Sequence, residues 1–314
     1  MSKLSHDLME ELFFRMDIED PSVVMGPKFG EDAAVIEIDG VNLVIHTDPI
    51  SGALENIGWL AINIAANDIA VTGAEPRWAL CSIQIPEEMG KEDIKKISED
   101  LIDAARELNV TIIGGHTETV SRIDRPLLST TMMGITEEPI FTSGSKGGDK
   151  IVQIKPAAIE GCWILVNDYK EKLLEMGVRE KTVEEVMGWS KDISVVQHAL
   201  KMMDKATSLH DPTEGGILQG LYEMSHCSGN DFYIDAEIEL KKETKEICEI
   251  LDIDPLYLIS SGCLLATVPE GVDCDEGKVI GEVCEGEGRL FYHDEEVKER
   301  PEDELFRILK ELEK

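Results

Sequence analysis

The stretch Asn56 to Pro76, NIGWLAINIAANDIAVTGAEP, constrains the fold more than any other. Ile57, Leu60, Ile64 and Ile69 recur at roughly helical spacing, so the segment reads as a helix. Gly58, Ala61, Ala65, Ala66 and Ala70 keep its surface small, which lets it lie close against a sheet or another backbone. Gly73 ends the helix and Pro76 prevents its return. Asn63, Asn67 and Asp68 sit inside this apolar run, with the two amides four residues apart on one face. A carboxylate in such a helix is costly unless a cation or hydrogen-bond donors meet it. Asp68 is therefore expected to reach a metal–phosphate site at the edge of the fold.

The 314 residues suffice for two domains and a substantial core. A formal net charge of −34 repels polyanions, which argues against nucleic acid and anionic membrane as partners. A phosphate ligand needs Mg²⁺, or a local basic and backbone-amide site, to overcome that field. The seven cysteines are scattered and form no C-x-x-C pair, so neither a disulfide framework nor a zinc cluster is expected. They read as reduced thiols in a cytoplasmic protein. Met1 to Phe14 carries acids and lacks a signal-peptide core, and no run approaches the ~20 apolar residues of a membrane span.

In chain order, Leu4 to Met16 reads as an amphipathic helix with Leu8, Leu12 and Phe13 on one side. GEDAAV, Gly30 to Val35, opens a hairpin that turns at Asp39-Gly40 and ends in Thr47-Asp48-Pro49. Beyond the central helix come a strand over Trp78 to Ile85, a helix over Glu92 to Leu108 and a strand at Val110 to Ile113. That strand is expected to break at Gly114-Gly115-His116-Thr117-Glu118, before another over Leu127 to Ile135. This is an α+β layer pattern. The glycine-rich SGSKGGD, Ser143 to Asp149, marks a domain boundary. The second half reads as a strand at Ile151 to Ile154, the loop KPAAIEG, an apolar Trp163 to Val166, and helices over Tyr169 to Gly188 and Ile193 to Lys205. The loop DPTEGG, Asp211 to Gly216, precedes a helix to Cys227, a strand near Phe232, a helix over Lys241 to Leu251, strands at Cys263 to Val268 and Val279 to Val283, and a last helix over Glu302 to Leu312.

Four loops place an acid or amide beside small residues at the end of an element: those bearing Asp32, Asp48, Asn67-Asp68 and Gly114 to Glu118. Hard cations take carboxylate oxygens, and a glycine pair lets backbone approach phosphate closely. Each signal alone has a plain reading: Asp32 caps a turn, Asp48 forms an Asx-Pro turn, and Asp68 caps a helix end.

Taken together, GEDAAV, TDP, NDIAVTGAEP, GG-x-T, DPTEGG and SSGCLLATVP resemble, over roughly residues 25–285, one superfamily. It comprises aminoimidazole ribonucleotide (AIR) synthetase, the hydrogenase maturation protein HypE, thiamine-monophosphate kinase and selenophosphate synthetase. The resemblance implies a PurM-like two-domain α+β fold. Residues 1–145 would be the ATP- and Mg-binding and dimerisation domain, whose mixed sheet pairs with a second copy into a β-barrel. Residues 146–314 would be an α/β sandwich domain. It further implies a homodimer that binds ATP in a cleft, with Asp32, Asp48 and Asp68 as metal ligands. Asp48 would also lie at the nucleotide, with Asn67, Gly114, Gly115, Thr117 and Lys155. Asp211, Thr213, Gly215 and Gly216 would face phosphates or acceptor, and His116, Glu118 and Asp211 would carry catalysis.

The implied activity is ATP- and Mg-dependent activation of an amide-like or phosphate acceptor, small molecule or protein, by phosphoryl transfer. A ligase or cyclase, a dehydratase and a kinase all fit that description. A non-catalytic nucleotide-binding dimeric scaffold in a maturation pathway, or a kinase resembling thiamine-monophosphate kinase, is the alternative. Three departures bear on this choice. His116 stands where the resemblance implies an acid, and neutral histidine is a poor Mg²⁺ ligand, so Glu118 replaces it or one metal site is lost. The tail cysteine of HypE has no counterpart here, because the last cysteine is Cys284. No cysteine precedes Cys81, which argues against selenophosphate synthesis.

Overall fold

The structure, a computed structural model, describes residues 6–14, 17–50, 55–300 and 302–312. In the first half, α1 (His6–Met9) runs into a π-helical turn, Glu10–Phe14. Then follow β1 (Val23–Met25), β2 (Ala34–Ile38), β3 (Val41–Ile50), α2 (Ile57–Val71), β4 (Glu75–Pro86), α3 (Lys91–Glu107), β5 (Thr111–Val120) and β6 (Leu127–Thr136). The strands form one mixed sheet in the order β1-β2-β3-β6-β4-β5, antiparallel throughout except for the parallel pair β4 and β5. Within one chain this sheet is open.

The second half contains β7 (Lys150–Ile154), α4 (Ile159–Glu175), α5 (Glu180–Met187), α6 (Val196–Met202), β8 (Ser208–His210), α7 (Gly216–Ser228) and β9 (Asn230–Ile234). It continues with α8 (Lys242–Leu251), β10 (Leu264–Val268), β11 (Lys278–Glu285), β12 (Leu290–Tyr292), β13 (Glu295–Val297) and α9 (Glu304–Leu312). Its sheet runs β13-β12-β9-β11-β7-β10-β8. The last strand of the first sheet ends at Thr136 and the first strand of the second begins at Lys150, so the chain makes two consecutive α+β halves, each with its own sheet.

Helix α2 is the element between the two halves. Every residue from Ile57 to Val71 except Trp59 is buried. Gly58 explains the close fit on α3: a Cβ there would sit 2.4 Å from the Ile97 carbonyl oxygen. The helix closes in a Schellman motif around left-handed Gly73, whose N–H donates to the Ala70 carbonyl while that of Ala74 donates to Ile69. One apolar core extends from α2 and its sheet into α4 and α6, and a second lies between α7 and the second sheet. Because α2 is buried along nearly its whole length, its sequence carries no charged solvent face.

Two expected elements differ. Trp163 to Val166, an apolar run without an assigned element in the sequence, lies within α4, which starts ahead of the helix expected from Tyr169; buried on every side, the run shows no helical alternation. The helix is kinked at Tyr169, which has φ −130° and ψ 26°. Gly114 to Glu118 does not break its strand, for β5 runs through to Val120. A one-residue register shift absorbs the irregularity, and Gly115 is needed because a Cβ there would meet the Cys81 carbonyl oxygen at 1.9 Å. The expected N-terminal helix falls partly outside the described residues, and Leu8, Leu12 and Phe13 are exposed. All seven cysteines are free, and no helix among the described residues is long and apolar enough to cross a membrane.

Candidate functional site

A cavity of about 420 Å³ opens between the halves, a size that suits a small-molecule ligand. The loop before β2 brings Asp32, β3 brings His46 and Asp48, α2 brings Asp68, and β8 with the loop after it brings His210, Thr213 and Glu214. Ligand oxygens of Asp32, Asp68 and Asp211 all lie within 4.8 Å of one another.

Each acid is held differently. Asp32 accepts from Thr142 Oγ1 at 3.0 Å and faces His210 Nδ1 at 2.8 Å. Its neighbour Glu31 accepts from the backbone N–H groups of Thr142 and Ser143, which ties the GEDAAV loop to the turn between the halves. His46 Nε2 stands 3.4 Å from Asp68. Asp211 is 1% exposed, and neither of its carboxylate oxygens has a hydrogen-bond partner. Burial pushes its pKa well above the ordinary range; Asp32 and Asp48 add to the rise and His210 opposes it.

His210 is buried between two carboxylates, Asp32 on Nδ1 and Glu223 on Nε2 at 3.1 Å. Burial opposes its charge, but Asp32 and Glu223 prevail and hold its pKa well above the usual value. Gln219 donates to the other oxygen of Glu223 at 3.1 Å and accepts from the Arg300 N–H, so the relay ends in the chain segment before α9.

The donor set suits a hard divalent cation. Three carboxylates converge, two buried oxygens lack any donor, and no sulfur or neutral imidazole is among the three. Asp32, Asp68 and Asp211 are the residues that would hold it.

Family models match at residues 30–136, the AIR synthase related protein N-terminal domain, and at 146–293, the corresponding C-terminal domain. The carbamoyl dehydratase HypE of Rhizobium leguminosarum bv. viciae is 31% identical over 84% of this chain and 77% of its own length. The chain belongs to the AIR synthase-related family. Solved relatives share the fold of this AIR synthase-related protein. A ThiL complexed with AMPPCP and TMP superposes with a TM-score of 0.78 at 20% identity, covering 95% of each chain. A HypE complexed with ATP gives 0.67 at 21% identity and 96% of each chain. HypE from a HypE–HypF complex gives 0.71 at 23% identity, covering 94% of this chain and 98% of the other.

The residues expected from the sequence of this AIR synthase-related chain fall into three groups. Asp32, Asp68 and Asp211 converge, and Asp48 and Thr213 line the same cavity. A second group stands behind the wall and is already engaged. Asn67 donates to the Ile193 carbonyl at 3.1 Å and accepts from the Val195 N–H at 2.8 Å, so it bolts α2 to the entry of α6. Lys155 Nζ donates to the carbonyls of Asp192 and Ser194, and burial lowers its pKa to about 8. The N–H of Gly215 donates to Asp303 at 2.6 Å and that of Gly216 to the Thr213 carbonyl, so the left-handed pair shapes the entry to α7.

A third group lies elsewhere. Gly114, Gly115, His116, Thr117 and Glu118 are exposed on the outer strand β5. Asp48, Thr130, Cys81 and Gly115 are successive cross-strand partners, which puts Gly115 three strand spacings, roughly 14 Å, from Asp48. His116 Nε2 instead stands 3.6 Å from Glu118. Within one chain these five residues do not reach the carboxylate cluster.

Sequence reasoning missed Glu31, His46, Glu160 and Glu223. Glu223 carries no local signal in its helix. Glu160 does, since KPAAIEG sets one acid among small residues as the Asn67-Asp68 segment does.

Proposed function

We propose that this chain binds ATP with Mg²⁺ in the cavity between its halves and transfers the γ-phosphoryl group to an amide-like or phosphate acceptor. The convergence of Asp32, Asp68 and Asp211, with both Asp211 oxygens buried and lacking a donor, carries the reading. The relatives support it: one HypE is solved with ATP, one ThiL with AMPPCP and TMP, and a curated relative is a carbamoyl dehydratase. Mg²⁺ held by the three acids would neutralise triphosphate charge.

The chain's own residues supply position. His210 fixes the Asp32 carboxylate, Asn67 holds the two halves in register, the Lys155 ammonium braces the loop before α6 within the second half, and Ile164, Ile259 and Leu305 give the cavity an apolar wall. In the transfer an acceptor oxygen bonds to the γ-phosphorus as its bond to the β–γ bridging oxygen breaks, and ADP leaves. Such a reaction needs alignment and charge neutralisation more than covalent catalysis. Calorimetry of ATP with and without Mg²⁺, followed by acceptor-dependent ADP release, tests the reading.

A nucleotide-binding scaffold in a maturation pathway is the second reading. The observation favouring it is that His116 and Glu118 stand away from the cavity. Any acceptor-dependent ADP release contradicts it. A homodimer belongs to both readings. Strand β5 is ten residues long, nearly all exposed, and lacks a partner on its outer side among the described residues, an edge that a second copy would cover. Mass measurement by light scattering tests it.

A further inference from the structure

Glu160 is a buried acid outside the carboxylate cluster. It lies in the first turn of α4, is 4% exposed, and lines the cavity. Its Oε2 atom is buried and makes no hydrogen bond. One helical turn on, Ile164 lines the same cavity, and Ile259, Leu305 and Phe306 do so from neighbouring segments. This end of the cavity is therefore apolar with one carboxyl group in it.

We propose that Glu160 recognises the acceptor, pairing its free oxygen with a neutral carboxamide seated against Ile164 and Ile259. The inference rests on the cavity being the phosphoryl-transfer site proposed above. Two observations choose a neutral amide over an anion. Seven of the described lining residues are Asp or Glu and none is Lys or Arg. A second phosphate or a carboxylate would enter that field without a basic partner of its own. Burial, reinforced by Glu214, Asp48 and Asp303 against a lowering from Ser261, pushes the Glu160 carboxyl up to about 8. A carboxyl group that keeps its proton offers one donor and one acceptor, and a primary amide returns one of each. Glu160 thus sets acceptor specificity and leaves the nucleotide to the aspartates.

The test uses butanamide, butyrate and butyl phosphate as probes in ligand-detected NMR titrations of the full chain. Wild type is expected to bind butanamide at least tenfold more tightly than either anion. Glu160→Gln, which keeps a donor and an acceptor, should hold it within about threefold. Glu160→Leu, which fills the site with an apolar side chain, should weaken it tenfold or more. No butanamide binding to wild type, preference for butyl phosphate, or full affinity in Glu160→Leu overturns the proposal. ATP binding is titrated separately with Mg²⁺. Its loss in Glu160→Leu would assign Glu160 to the nucleotide and also overturn the proposal. Failure of wild type to bind ATP overturns the transfer reading itself, a result distinct from the probe titrations.

Discussion

His210 Nδ1 lies 2.8 Å from Asp32 Oδ1, joining residues 178 positions apart in the chain across the two halves. The opposite ring nitrogen meets Glu223, so a single imidazole spaces a half-buried and a buried carboxylate that would otherwise repel. Both faces of the ring see acceptors, which calls for protons on both nitrogens.

Replacing His210 with Asn leaves the buried Glu223 and the half-buried Asp32 without that shared donor. Breaking a buried pair on one side typically costs about 3–5 kcal/mol. Urea melts of His210→Asn should show a loss in that range, with the midpoint shifted and the slope unchanged.

Asn67→Ala should destabilise without altering the cavity walls. It leaves the Val195 N–H and the Ile193 carbonyl buried without their partner, and each unsatisfied group costs about 1–3 kcal/mol. Hydrogen exchange should rise first at the entry to α6, which loses its bolt to α2.

Gly115→Ala tests the account of β5. With 1.9 Å between a Cβ and the Cys81 oxygen, the strand pair must separate or shift register. A loss of about 2–4 kcal/mol is expected, in the range of backbone-strain and overpacking substitutions. Gly114→Ala, whose Cβ would stand 3.4 Å from the end of Leu80, should cost less.

Much of the first half was legible because its signals are local. Small residues, a terminating Gly73 and a following Pro76 describe α2 completely, and the acid inside it pointed to a site. Helix α4 was not legible over Trp163 to Val166, because a segment buried on every side has no period to read. The loop Gly114 to Glu118 resembled a phosphate cradle, but its glycines answer a close approach of two strands, which sequence alone does not reveal. Lys155 was similar: its ammonium is consumed by two carbonyls from a segment nearly forty residues on. Asp32, Asp48 and Asp68 were visible as acids beside small residues. That Asp211 and not Asp48 completes the cluster within 4.8 Å depends on how β8 meets the first sheet.

Stability should carry the imprint of Glu160. Its folded pKa, about 8, exceeds the ordinary 4.5, so the folded chain holds this proton more tightly than the unfolded one. The associated stability is complete below pH 4.5 and is lost as pH rises through 8, by at most about 1.4 kcal/mol for each pH unit in that window. Glu160→Gln removes the term. Its melting temperature should approach that of wild type at pH 5 and exceed it at pH 8.

Titration calorimetry of ATP with Mg²⁺ into wild type and Asp211→Asn tests the central claim most directly, with thermal melts of each protein in EDTA as the control for folding. Asp211→Asn should melt at or above the wild-type temperature, since it removes a buried acid without a donor, yet bind ATP with Mg²⁺ at least tenfold more weakly. Equal affinity in a folded variant would contradict the assignment of Asp211, with Asp32 and Asp68, to a cation that holds the triphosphate.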